Sequence, residues 1–112
     1  MEPYTYTDYR EALWDTVQHS IDYWLEGAQM TKEELTLFTI DGDKAVITPE
    51  ELLEGTIAWA EEMRGKQGLL KGYRMCRNAI LAEDWDMATL YHDAVIVDSA
   101  VQLAAFGCQR YS

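Results

Sequence analysis

The chain has 112 residues, with 20 Asp and Glu against 9 Lys and Arg and a formal net charge of −11. This length suits one domain, read here as residues 1–112, that buries about 65% of its unfolded surface. A hydrophobic content of 48% excludes a disordered acidic tail, and the negative excess argues against direct binding to a phosphate backbone.

After an extended start containing Tyr4 and Tyr6, Asp8 is placed to cap a first helix, with Glu11 three residues later. The helical period then predicts a helix to about Gln29, burying Tyr9, Leu13, Val17, Ile21, Trp24, Leu25 and Ala28. On its far side Asp8, Glu11, Asp15, Asp22 and Glu26 fall on one acidic stripe about 30 Å long.

Thr31-Lys32-Glu33-Glu34 spells another capping box and predicts one short helical turn. Asp41-Gly42 then lies between the β-rich runs Thr36 to Ile40 and Asp43 to Thr48, which predicts a hairpin over residues 36–48. Thr48-Pro49-Glu50-Glu51 gives a capping threonine, a proline at the first helical position and a glutamate at the third. The second helix should reach about Arg64 and bury Leu52, Leu53, Ile57, Ala60 and Met63, with Trp59 beside them. Trp14, Trp24 and Trp59 read as packing residues.

Following the Gly-Lys-Gln-Gly break, a third helix over about 69–82 buries Leu69, Tyr73, Cys76 and Ile80, with Lys71 and Arg74 opposite. The last segment, 84–106 with Gly107 as a terminal cap, is apolar at almost every wheel angle. It is either the central helix of the domain or a helix whose face meets a second copy in a homodimer. The β-branched run Val95-Ile96-Val97 leaves a strand open as an alternative. The fold class is therefore mainly α: a small single-domain bundle of about four helices carrying a short hairpin.

Charge is unevenly distributed. Residues 1–62 carry fifteen acids and three bases, residues 63–82 five bases and no acid, and residues 83–112 five acids and one base. The helix-one stripe offers a row of carboxylates, in place of phosphates, to a basic nucleic-acid-binding protein. Small acidic inhibitors of phages and other mobile elements, anti-defence proteins among them, work by this kind of mimicry. The expected partner is therefore another protein, with no direct nucleic-acid contact and no cofactor. Aromatic side chains beside the acids suit such a surface.

Other chemistries are weaker. The run from Asp41 resembles a calcium-binding EF-hand only in its first positions, because position five is Ala45, position six Val46 and position twelve Leu52. Asp15, His19 and Asp22 share one helical segment and His92 adjoins Asp93, yet neither histidine follows the Glu-x-x-His pattern of bundle metal sites. Cys76 and Cys108 lack metal or redox spacing and read as reduced structural thiols.

Glu51-x-x-Glu54 followed after twenty-eight residues by Glu83-x-x-Asp86, together with the run EELLEG, is similar to the paired-carboxylate motif of the MazG-type all-α nucleoside triphosphate pyrophosphohydrolases. That resemblance implies a magnesium-dependent hydrolase in which Glu51, Glu54, Glu83 and Asp86 hold the metal and Lys71 or Arg74 touches phosphate. A third reading is a homodimer that sequesters a small ligand between its last helices, using Arg74 and Arg77 for an anion. Neither a secretory leader nor a membrane span is indicated, so the expected location is the cytoplasm.

Overall fold

The computed structural model describes residues 5–17 and 24–111. Thr5, three residues before Asp8, is the cap of the first helix. Its hydroxyl accepts from the Asp8 backbone N–H at 3.2 Å, and the Asp8 carboxylate accepts from the Thr5 N–H at 3.0 Å. Asp8 is thus the reciprocal acid of a capping box, not the cap itself. Helix α1, Tyr6–Val17, buries Tyr9, Leu13, Trp14 and Val17.

The first helix does not reach Gln29 as expected. Leu25–Met30 is instead strand β1, paired antiparallel with β2, Leu35–Thr39, and β2 pairs in turn with β3, Lys44–Ile47. Helical periodicity in this stretch loses to tertiary pairing, because a segment with Gly27 at its middle is a weak helix and β2 offers backbone partners from Leu35 to Thr39. Trp24, just before β1, is fully buried, while Ala28 of the expected core face is exposed. His19, Ile21 and Asp22 lie outside the described residues.

Thr31 to Glu34 is the turn between β1 and β2 and not a helical turn. The Thr31 hydroxyl accepts from the N–H groups of Glu33 and Glu34, at 3.2 and 3.0 Å, and the Thr31 N–H donates to the Glu34 carbonyl at 2.9 Å. The same side-chain chemistry that starts a helix here closes a hairpin. The expected second hairpin is present, with Leu35 opposite Ile47 and Phe38 opposite Lys44. Gly42 sits at φ 88°, the left-handed conformation this turn requires.

Helix α2, Pro49–Glu62, begins as its sequence spells. The Thr48 hydroxyl accepts from the Glu51 N–H at 3.1 Å and Glu51 Oε1 accepts from the Thr48 N–H at 3.0 Å. Thr48→Ala is expected to cost about 1–2 kcal/mol in urea unfolding, whereas Thr48→Ser should stay within about 0.5 kcal/mol of the parent. An unchanged midpoint for the alanine variant would show that the box is dispensable.

Helix α3, Lys71–Leu81, follows a connection closed by Arg77, whose Nη1 donates to the carbonyls of Met63 and Lys66 at 3.0 and 3.2 Å. The segment expected to form one last helix is two: α4, Trp85–Tyr91, and α5, Ala94–Phe106. The break lies at His92, whose ψ is 134°, and at Asp93, whose carboxylate accepts from the Ile96 N–H at 3.1 Å. An aspartate before an apolar run is an N-cap, and it restarts the helix. Val95-Ile96-Val97 is helical, and Gly107 ends α5 at φ 74° as expected.

The architecture is mainly α, with five helices and one three-stranded antiparallel meander among the described residues. Residues Ile96–Leu103 of α5 are all buried within one chain, which makes α5 the central helix. Its most extensive partner is α2, and they meet where Gly55 faces the Ala100 carbonyl and Ala104. Five polar side chains are buried among the described residues, and two of them, Asp98 and Gln102, are joined on α5. Asp98 accepts from Trp24 Nε1 at 2.6 Å and from Gln102 Nε2 at 3.0 Å, while Gln102 also pairs with both backbone groups of Tyr111. Stacking of Tyr111 on Trp24, with ring centroids 5.2 Å apart, fastens the C-terminal residues over the end of α5.

Candidate functional site

The exposed side of α1 carries Asp8, Glu11 and Asp15. Because Leu25–Met30 is strand β1, the expected stripe does not run on to Glu26 as one helical face: Asp22 lies outside the described residues and Glu26 is exposed on β1, beside a register irregularity. Asp8 is occupied with its own helix cap.

Glu11 and Asp15 instead form one wall of a groove of about 580 Å³, lined also by Arg10, Trp14, Lys32, Glu33, Thr48, Pro49 and Glu50. Three elements shape it, and each is tied in place. Trp14 Nε1 donates to the Thr31 carbonyl at 3.1 Å, which holds α1 against the β1–β2 turn. Arg10 Nη1 pairs with Glu50 Oε2 at 3.0 Å, and the Tyr6 hydroxyl donates to the other oxygen of the same carboxylate, which holds α1 against the start of α2. The Tyr6 hydroxyl, followed by the Arg10 guanidinium, holds the Glu50 carboxyl below the ordinary carboxylate range.

With Arg10 and Glu50 satisfying each other, the groove presents Glu11, Asp15 and Glu33 against Lys32, which has no ion pair among the described residues. Carboxylates flanking the Trp14 ring and Pro49 suit a lysine or arginine side chain, whose stem packs on apolar surface while its head stays polar. Single exposed pairs contribute at most about 1 kcal/mol and are screened by salt, so useful affinity requires several acting together. Glu33 and Glu50 were missed as site residues because they meet α1 only through the β1–β2 turn and the α2 cap.

A second cleft, of about 290 Å³, lies where α1 meets the junction of α4 and α5. His92, turned inward by the helix break, places Nδ1 2.9 Å from the Tyr9 hydroxyl and 3.9 Å from Cys76 Sγ. The arrangement looks nucleophilic, but its protonation states say otherwise. Burial drives the His92 pKa down to about 4, against a smaller opposing effect of Asp93, and pushes the Cys76 thiol up to about 12. Burial also raises Tyr9 well above the usual phenol range. At neutral pH all three are uncharged, so no thiolate–imidazolium pair is available for attack.

The carboxylate quartet is not assembled. Glu51 is committed to the α2 cap, Glu83 occupies a left-handed turn at φ 57°, and Asp86 lies in the first turn of α4. Among the described residues no group of three or more His, Cys, Asp or Glu could hold a metal ion, so the residues do not fit the magnesium site that the pyrophosphohydrolase resemblance implies. The Asp41–Asp43 loop is engaged by the C-terminal residues: Tyr111 donates its hydroxyl to Asp41 at 2.7 Å and Arg110 pairs with Asp43. Of the basic helix, Arg77 is spent on backbone carbonyls, while Lys71 and Arg74 are exposed. No helix among the described residues is long and apolar enough to cross a membrane.

No protein-family model, curated protein or solved structure matches this chain.

Proposed function

We propose that this protein binds a basic partner protein through the groove between α1, the β1–β2 turn and the start of α2. The reading rests on one observation: Glu11, Asp15 and Glu33, from two separate elements, line a single groove braced by the Arg10–Glu50 pair and the Trp14–Thr31 hydrogen bond. A net charge of −11 supports it, since the long-range field draws basic surfaces in and repels nucleic acid itself. The partner surface that fits is one otherwise used for phosphates, so occupancy of the groove would inhibit nucleic-acid binding by that partner.

The test is fluorescence anisotropy with a labelled arginine-rich nonapeptide at low and moderate salt. Reversing Glu11, Asp15 and Glu33 to Lys should weaken binding by about tenfold or more. Because the three are exposed, the melting temperature should barely move. Reversing Glu54, Glu62 and Glu83, also exposed, changes the net charge equally and serves as control. Equal weakening in both variants would reduce the groove to part of a general acidic surface and overturn the assignment.

A further inference from the structure

The acidic chain has one basic end, at the start of α3. Residues 63–82 carry five bases and no acid. Two of the five are engaged: Arg64 pairs with Glu61 at 2.9 Å, and Arg77 Nη1 donates to the carbonyls of Met63 and Lys66. Lys66, Lys71 and Arg74 are exposed and have no ion pair among the described residues. The Arg74 N–H donates to the Leu70 carbonyl at 3.0 Å, so these two lie one turn apart on the same side, and Lys71 precedes Arg74 by three residues. Leu70 itself is 69% exposed. A lone surface leucine is ordinary, but one set among unpaired cations is the charge-reversed counterpart of the groove, where Glu11, Asp15 and Glu33 stand with Trp14 and Pro49.

We infer that the groove also takes a second copy of this chain, which docks head to tail by its Leu70, Lys66, Lys71 and Arg74. The inference rests on the reading of the groove as a site for basic protein surfaces. Charge selects the occupant: residues 1–62 and 83–112 both carry an excess of acid, so only the 63–82 segment of another copy has the sign that the groove accepts. Geometry makes the contact intermolecular. The groove is lined by Thr48, Pro49 and Glu50 at the start of α2, the Arg77 bonds hold the basic end beside Met63 just past its finish, and the 14 residues between span about 20 Å. Since patch and groove are different surfaces, each docking leaves one of each free, and copies add in series. A docked copy covers the groove, so self-association and a basic partner compete.

The contact is weak, because exposed ion pairs add little and two bodies of charge −11 repel at long range. At an ionic strength of about 0.1 M the Debye length of about 10 Å screens the bodies but not the touching pairs, so association should be strongest there and weaker at about 0.01 M and about 1 M.

The test is sedimentation velocity of the full chain from about 0.02 to 1 mM, where the weight-average coefficient should climb without a dimer plateau, with a Kd of about 0.1–1 mM per step. Adding the arginine-rich nonapeptide should return it to monomer. One variant carries Glu11→Gln, Asp15→Asn and Glu33→Gln, another Lys66→Gln, Lys71→Gln and Arg74→Gln, all at exposed positions. Each alone should associate about tenfold more weakly than the parent. Their equimolar mixture, whose mean net charge equals the parent's, should form one-to-one dimers and nothing larger, since only one patch and one groove remain per pair. A parent that stays monomeric while still binding the nonapeptide would overturn the inference and leave the groove reading standing; loss of both would overturn both. A parent that stops at a dimer, a variant that associates alone as the parent does, or a mixture that stays monomeric would overturn the inference too.

Discussion

Gly55→Ala is expected to lower stability by about 3 kcal/mol or more, and to lower the melting temperature by roughly 10–20 °C. Alanine is the better helix former by about 1 kcal/mol, so propensity alone predicts stabilisation in the interior of α2. Packing reverses the sign. A Cβ at position 55 would stand 2.3 Å from the backbone oxygen of Ala100 and 3.1 Å from Ala104 Cβ, and neither can swing aside as a long side chain could. Relief requires α2 to move off α5, the central helix, which would open contacts along the most extensive helix pair of the fold. Gly72→Ala makes the internal comparison: a Cβ there meets nothing within 4 Å, so this variant should gain up to about 1 kcal/mol. Thermal melts followed by circular dichroism measure both. A Gly55→Ala protein that melts within a degree or two of the parent would mean that α2 and α5 pack less closely than described.

The second large effect is a pH dependence carried by His92. Its pKa is about 4 in the folded chain against 6.5 ordinarily. Between those values the unfolded chain binds a proton that the folded chain refuses, so stability rises with pH across the window. The contribution is fully present above pH 6.5 and is lost as the pH falls toward 4, with a total of about 3 kcal/mol. Desolvation is the main cause: Tyr9 and Cys76 face the ring, both neutral, and Asp93 is the one charged neighbour favouring protonation. Urea unfolding of the parent and of His92→Gln between pH 7.5 and 4 isolates the effect, because the many surface carboxylates titrate in both proteins. The stability difference between them should shift by a few kcal/mol against the parent as the solution is acidified. A difference that stays constant with pH would show that the folded protein accommodates the imidazolium.

The features legible from sequence are those decided within one turn of chain. Thr48-Pro49-Glu50-Glu51 starts α2 as spelled, Asp41-Gly42 turns the β2–β3 hairpin, and Gly107 ends α5, because each is a local hydrogen-bond or backbone requirement met by its own neighbours. Where one local device serves two structures, spelling was insufficient. Thr31 with Glu33 and Glu34 closes a strand turn, although the same residues could open a helix. Asp93 caps α5 in the middle of what reads as one apolar helix, and this cap turns His92 toward Tyr9.

The candidate groove was half legible. Glu11 and Asp15 follow from helical periodicity, but Glu33 and Glu50 join them only because Leu25–Met30 pairs as β1 and the β1–β2 turn lies against Trp14. The sequence by itself determined the acidic excess, the mainly helical class, the α2 cap and the all-round burial of α5, since composition, capping and periodicity act locally. Tertiary structure alone decided whether residues 25–30 pair as a strand, where the last helix breaks and which carboxylates share a groove. A strand's hydrogen bonds and a groove's walls come from residues distant in the chain, and no local pattern encodes that partner.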